Sequence, residues 1–150
     1  MAHFRFEAAQ SIALSLGYSI LTKEEWDYTI KNSSIGFATV NEIPGLVILP
    51  DNWETPSGCS FSASTDSYSA NIYYTTQWLA MEERGAVFLP AAGYYYSSVK
   101  KVGQAGAYSS STPYNTGTTV YFLYFLNDGT TTTLLVRYGF VASVRLVKYN

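Results

Sequence analysis

One cysteine, Cys59, and one histidine, His3, stand in 150 residues. A solitary cysteine excludes an intrachain disulfide, a thiolate-rich metal site and paired-cysteine redox chemistry, which leaves Cys59 as a small packed side chain. A solitary histidine beside the N-terminus is a poor base for acyl transfer or hydrolysis, since nucleophile, base and orienting group must lie within mutual reach. Glu24, Glu25 and Asp27 are expected to fan around a solvated helix face rather than to pair. Calcium-type sugar binding needs clustered carboxylates and amides in long loops, and these offer little beyond Asp66 and Asn71. No cofactor, metal or catalysis is therefore expected. Long apolar runs are missing as well, so no membrane insertion is expected. The N-terminus has no basic leader, and Gln10 and Ser11 interrupt its short apolar segment, which makes it a poor secretory signal.

The largest gap is local. From Ala105 to Val147 there is no Lys, Glu, Gln, Trp or Met. Lys and Glu are so common that a stretch of this length would ordinarily hold roughly five of them. Strand propensity is one cause, because strands favour Tyr, Thr, Val and Phe and disfavour Lys and Glu. Charge divides in the same sense: residues 1–93 hold four Lys and Arg against ten Asp and Glu, and residues 94–150 hold five against one. Five cations spread over the second part form no stripe, so nucleic acid is not an expected partner.

What is present from Gly93 onward is tyrosine, serine and threonine: Tyr94-Tyr-Tyr96, Tyr108-Ser-Ser-Ser-Thr112, Val120-Tyr-Phe-Leu-Tyr-Phe-Leu126 and Thr130 to Thr133. Tyrosine offers a large flat face and a hydroxyl while ordering only two torsions, and Ser, Thr and Asn add adaptable hydrogen bonds. That is the composition of antibody-type binding loops. In Val120 to Leu126 alternation puts Tyr121, Leu123 and Phe125 on one face and Phe122, Tyr124 and Leu126 on the other. If the first face fills the core, the second is a contact stripe; the bland alternative is a strand buried on both sides.

The chain is long enough for one ordinary core, and a single domain over residues 1–150 is expected. Helical spacing over Glu7 to Leu16, stopped by Gly17, predicts a first helix. Thr22-Lys-Glu-Glu25 has capping-box form, with Leu21 and Trp26 as its hydrophobic staple, and predicts a second from about Lys23 to Lys31. Thr76 is expected to cap a third that runs to Arg84, ended by Gly85. Phe37 to Val40 and Leu46 to Leu49 read as a hairpin turning at Pro44-Gly45. Pro50 to Thr75 reads as a long connection that carries function or wraps the core. Ala86 to Leu89, Val120 to Leu126, Leu134 to Arg137 and Ser143 to Lys148 read as strands, with a turn at Asn127-Asp-Gly129. Helices gathered early and strands late make an α+β arrangement. Asn32-Ser-Ser34 fits a glycosylation acceptor, a pattern too weak to use.

Taken together, Leu21-Thr-Lys-Glu-Glu-Trp26, Ala38-Thr-Val-Asn41, Gly45-Leu-Val-Ile-Leu-Pro-Asp51, Trp78 with Met81-Glu82, Gly85-Ala-Val-Phe-Leu-Pro-Ala-Ala-Gly93, Ser110-Ser-Thr-Pro113 and Ser143-Val-Arg-Leu-Val147 resemble one family. It is the Fibrobacter-type major paralogous domain of gut bacterial surface proteins, also used for the variable proteins of diversity-generating retroelements. The resemblance runs from about Gly17 to Lys148. It implies a C-type-lectin-like fold and ligand binding without catalysis. That fold also houses formylglycine-generating enzymes, but a lone Cys59 cannot supply their cysteine pair. In retroelement-diversified members, mutation aimed at AAY codons cannot create Lys, Glu, Gln, Trp or Met, which gives the gap between Ala105 and Val147 a second cause beside strand propensity.

Carried over by position, the resemblance implies a ligand-binding set of Tyr94, Tyr95, Tyr96, Tyr108, Tyr114, Asn115, Phe122, Tyr124, Leu126, Tyr138 and Phe140, joined by Ser109. Tyr121, Leu123 and Phe125 match the fixed inward face. Two positions depart from the pattern: Ser109 stands where the family usually has Trp, and Gly139 is out of step with Ser143. The implied partner is a protein or glycan on a cell surface, with the chain displayed on a bacterial surface or a phage tail. A structural or assembly module that packs the same stripe into a homo-oligomer, and sugar recognition by ring stacking, stay open as alternatives.

Overall fold

The structure is a computed structural model and describes residues 3, 4, 14–63, 66–114, 119–135 and 140–148. It is an α+β arrangement: among the described residues, two complete helices that both end before Arg84 pack on short and mainly antiparallel strands. Most of the expected first helix lies outside the described residues; Leu14 and Ser15 are helical, and Gly17 follows at φ +73°.

Helix α1 spans Lys23–Asn32. Its N-terminus is built as the sequence predicts: the Glu25 N–H donates to Thr22 Oγ1 at 3.2 Å, and the Thr22 N–H donates to Glu25 Oε2 at 2.7 Å. Two otherwise orphaned amides are thereby satisfied. Leu21 and Trp26 enter the same core cluster, as the staple requires. Helix α2 spans Thr75–Glu83 and starts two residues earlier than expected, with Tyr74 rather than Thr76 at the cap position; the Tyr74 N–H donates to Gln77 Oε1. Gly85, at φ +94°, takes the left-handed conformation that ends it.

A four-stranded sheet is formed by β3 (Ser34–Val40), β4 (Ile43–Leu49), β5 (Ile72–Tyr73) and β6 (Val87–Pro90), in the order β5-β3-β4-β6. The β3–β4 hairpin turns at Asn41-Glu42, with φ values of 48° and 68°, and not at Pro44-Gly45. Two successive left-handed residues match the twist of the flanking strands. Pro44 is carried inside β4 because it faces Thr39, whose own N–H donates away from β4 to Asn71 O, so no rung of that ladder needs a proline N–H. Gly45 is required by its neighbours: a Cβ there would come within 2.4 Å of Leu89 O.

Both faces of this sheet are covered. One meets Trp78 and Met81 of α2, together with Trp53, Cys59 and Phe61 from the connection after β4. That connection wraps the core: Asn71 is buried, donates to Phe37 O and Ser62 O, and accepts from the Ser62 N–H. Its amide is consumed by folding. Cys59 is half-buried, and its thiol lies 3.6 Å from Gln77 O. The other face carries Phe37, Leu46 and Leu89 into the main core.

Across that core lies a five-stranded sheet in the order β1-β12-β9-β10-β11. Its strands are β1 (His3–Phe4), β9 (Ala105–Pro113), β10 (Val120–Leu126), β11 (Thr131–Leu135) and β12 (Ala142–Ser143). Its inner face brings Tyr108, Leu123 and Phe125 against Trp26 and Phe37. The return strand begins earlier than expected, at Thr131, because Leu126, Asn127, Asp128 and Gly129 close a tight turn in which the Leu126 N–H donates to Thr130 O. Residues 136 and 137 lie outside the described residues. The expected single last strand is two: β12 joins the five-stranded sheet, while β13 (Leu146–Val147) pairs with β2 (Ser19–Ile20). A ribbon of β7 (Tyr94–Tyr96) and β8 (Ser98–Lys100) completes the set.

Candidate functional site

Residues 94 to 100 turn back on themselves within a very short span. Gly93, at φ +70°, approaches the ribbon's return so closely that a Cβ would come within 2.2 Å of Lys100 O. Ser97 at the tip and Lys101 at the exit are also left-handed, at 61° and 55°. Reciprocal hydrogen bonds of 2.9 Å between the backbones of Tyr95 and Val141 hold the ribbon beside the five-stranded sheet.

Alternation then splits the three tyrosines. Tyr94 faces the sheet: its ring stacks on Phe140 with centroids 4.7 Å apart and lies 6.4 Å from Tyr124. Phe140 meets Phe122 edge-on at 5.1 Å. These four rings, with Ala107 and Ala142, form an aromatic cluster on the outer face of the sheet, away from α1. Tyr95 points the other way, beside its cross-strand neighbours Val99 and Val141. Tyr95 is 41% exposed, Tyr96 43% and Val99 58%. The sequence reading missed Val99; its position opposite Tyr95 across a tight ribbon is the signal that would have found it.

Several expected contact residues are elsewhere. Tyr108 is fully buried on the inner face, opposite Leu123, with its ring parallel to Phe125 and its hydroxyl donating to Pro90 O at 2.8 Å. Burial drives its phenol pKa well above the ordinary tyrosine value. Ser109 is buried opposite Phe122, and its carbonyl faces the Trp26 indole N–H. Phe122 is buried too, roofed by Phe140. These three are packing residues, and the stripe expected on β10 is reduced to Tyr124 and Leu126, both half-buried. On the opposite face Leu123 and Phe125 are buried as expected, whereas Tyr121 is half-buried, with Lys23 Nζ 5.4 Å above its ring.

Tyr114 is exposed but belongs to another neighbourhood. It meets Tyr121 edge-on at 6.2 Å, near the start of α1. Asn115 and Tyr138 lie outside the described residues. Of the expected set, therefore, the structure gathers Tyr94, Tyr124 and Phe140 into one ring cluster, sets Tyr95 and Tyr96 on the ribbon above it, and leaves Leu126 further along β10.

The carboxylates of α1 do not simply fan into solvent. Asp27 is half-buried between the Lys23 ammonium and the Thr133 hydroxyl, which donates to it at 2.6 Å, and these bonds hold its carboxyl below the usual range. Glu25 is spent on the helix cap. Asp128 is likewise lowered, through its bonds to Thr130 in the turn. Among the described residues, no group of three His, Cys, Asp or Glu side chains could hold a metal ion. No helix among them is long and apolar enough to cross a membrane. Compared with protein-family models, curated proteins and solved structures, the chain finds no match.

Proposed function

We infer that the chain is a ligand-binding domain of a receptor-binding or surface-displayed protein, without catalysis, on a C-type-lectin-like frame of the kind found in the paralogous-domain and retroelement-diversified families. The observation that carries this reading is the ribbon of β7 and β8. It exposes Tyr95 and Val99 on one face and Tyr96 near its tip on the other, the face that Tyr94 anchors to a packed ring cluster. Rigid aromatic anchors supported from below are the features that concentrate binding energy at interfaces. Glu25 and Asp27 of α1 and Cys59 of the second core cluster are engaged in folding contacts.

The site proposed is smaller than the sequence implied. It comprises Tyr95, Tyr96 and Val99, with the accessible edges of Tyr94, Tyr124 and Phe140; Tyr108, Ser109 and Phe122 leave the set. Labelled protein applied to arrays of intact bacterial cells and of glycans should bind a subset of spots. A Tyr95→Ala, Tyr96→Ala double variant should lose that binding and keep the parent's melting temperature. Retained binding in a folded double variant would remove the ribbon from the site. Binding confined to glycan spots would select ring stacking on sugar. The encoding DNA bears on diversification: a shared pyrimidine third base at the Tyr, Ser, Thr and Asn positions from 94 to 140, a near-identical repeat and a neighbouring reverse transcriptase would support it.

A further inference from the structure

Sheet edges invite other strands, and proteins normally guard them with charge, proline or brevity. Most open edges among the described residues are guarded in this way. β1 and β5 have two residues each, β6 ends in Pro90, and β8 carries Lys100 between left-handed Ser97 and Lys101. The outer edge of β11 is the exception. Its five residues, Thr131–Leu135, lie in the run Gly129-Thr-Thr-Thr-Thr-Leu-Leu-Val136, which has neither charge nor proline.

The preceding turn fixes which backbone groups face outward. The Leu126 N–H donates to Thr130 O at 3.0 Å, the Gly129 N–H donates to Leu126 O at 3.1 Å, and Gly129 sits at φ +90°. This is a three-residue hairpin loop closed by a glycine bulge. Because rungs alternate along an antiparallel ladder, Thr132 and Leu134 direct their amides and carbonyls to β10, while Thr131, Thr133 and Leu135 direct theirs to the open edge. Among the described residues neither the Thr131 nor the Thr133 amide has a partner.

We propose that this edge pairs with the β11 edge of a second copy of the chain, antiparallel, so that the two five-stranded sheets join across a two-fold axis. An outward-facing residue must meet another outward-facing residue. Pairing about Thr133 satisfies this, with Thr131 opposite Leu135 and Thr133 opposite its own copy. Thr132 then lies opposite Leu134 and covers a leucine that is otherwise 40% exposed. In the sequence Asp128 precedes the strand and Arg137 follows it, an order of charge that favours an antiparallel over a parallel match. Such an interface is isologous and closes on itself. It is also short, which places it among weak and reversible associations.

Sedimentation of the full chain over a wide concentration range tests the pairing. A reversible monomer–dimer equilibrium is expected. Thr131→Pro removes an outward N–H without breaking a rung to β10, and should weaken dimerisation at least tenfold with an unchanged far-UV spectrum. In the unaltered protein, amide exchange at Thr131 and Thr133 should slow as concentration rises. A monomer at every concentration, a dimer that Thr131→Pro leaves intact, or exchange independent of concentration would each overturn the proposal. If Thr131→Pro fails to fold, exchange in the unaltered chain decides. A monomeric outcome leaves the ring reading standing, since Tyr95 and Tyr96 lie on the ribbon and not on this edge.

Discussion

Two tyrosines from the same composition have opposite duties. Tyr108, enclosed against Phe125, should cost about 3–5 kcal/mol when cut to alanine, as large core aromatics do. Tyr95→Ala should cost little, and denaturant titration of the two variants distinguishes the roles. Tyr124 falls between: it leans on Tyr94, so Tyr124→Ala should lower the melting temperature as well as affect binding. Asp27 makes a prediction in acid. Its folded pKa is depressed by Lys23 and Thr133, so it contributes stability above its unfolded pKa that is lost as pH falls through the folded one. Asp27→Asn should therefore flatten the acid limb of a stability-against-pH curve and leave its alkaline side unchanged. Tyr73 has the opposite sign. Burial raises its phenol to about 12, so its contribution is intact below the ordinary tyrosine pKa and fades as pH climbs toward 12, a window that Tyr73→Phe should abolish.

Elements were legible where local chemistry decides them. The capping box and staple of α1 need only Thr22 with Glu25 and Leu21 with Trp26, all within six residues, and they form as written. Thr22→Ala should cost about 1 kcal/mol by equilibrium unfolding. The turn at Asn127-Asp-Gly129 was equally readable, since Gly129 supplies its left-handed residue. Pro44-Gly45 misled because the pair has two uses. The turn needs two left-handed residues, which Asn41 and Glu42 supply, while Gly45 answers a distant neighbour, the Leu89 backbone, that sequence spacing does not reveal. The last strand split for a similar reason, since β12 and β13 answer to different partners. At the site, alternation along β10 correctly separated Leu123 and Phe125 from Phe122 and Tyr124. It could not show that Phe140 would roof Phe122, nor that β9 would turn Tyr108 inward.

On the scale of the whole molecule, the four-stranded sheet is covered on both faces and the five-stranded sheet on its inner face, leaving an outer face that is only partly roofed by the ribbon. Local stability should follow that layering. Hydrogen exchange should be slowest at amides of β4 and β10, which are central strands of the two sheets, and fastest in β8, whose residues are all exposed. Uniform protection across the chain would contradict the layered picture.

Gly93 has a consequence for how the surface can change. The course of the ribbon is set by backbone contacts at Gly93, by the left-handed residues Ser97 and Lys101, and by the two bonds to Val141, none of which involves a side chain at positions 95, 96, 98 or 99. Those four residues are exposed, and their side chains set none of these contacts. A library randomised there should yield soluble, folded members nearly as often as the parent, whereas Gly93→Ala alone should cost about 1–2 kcal/mol for its left-handed backbone before any collision with Lys100 is counted.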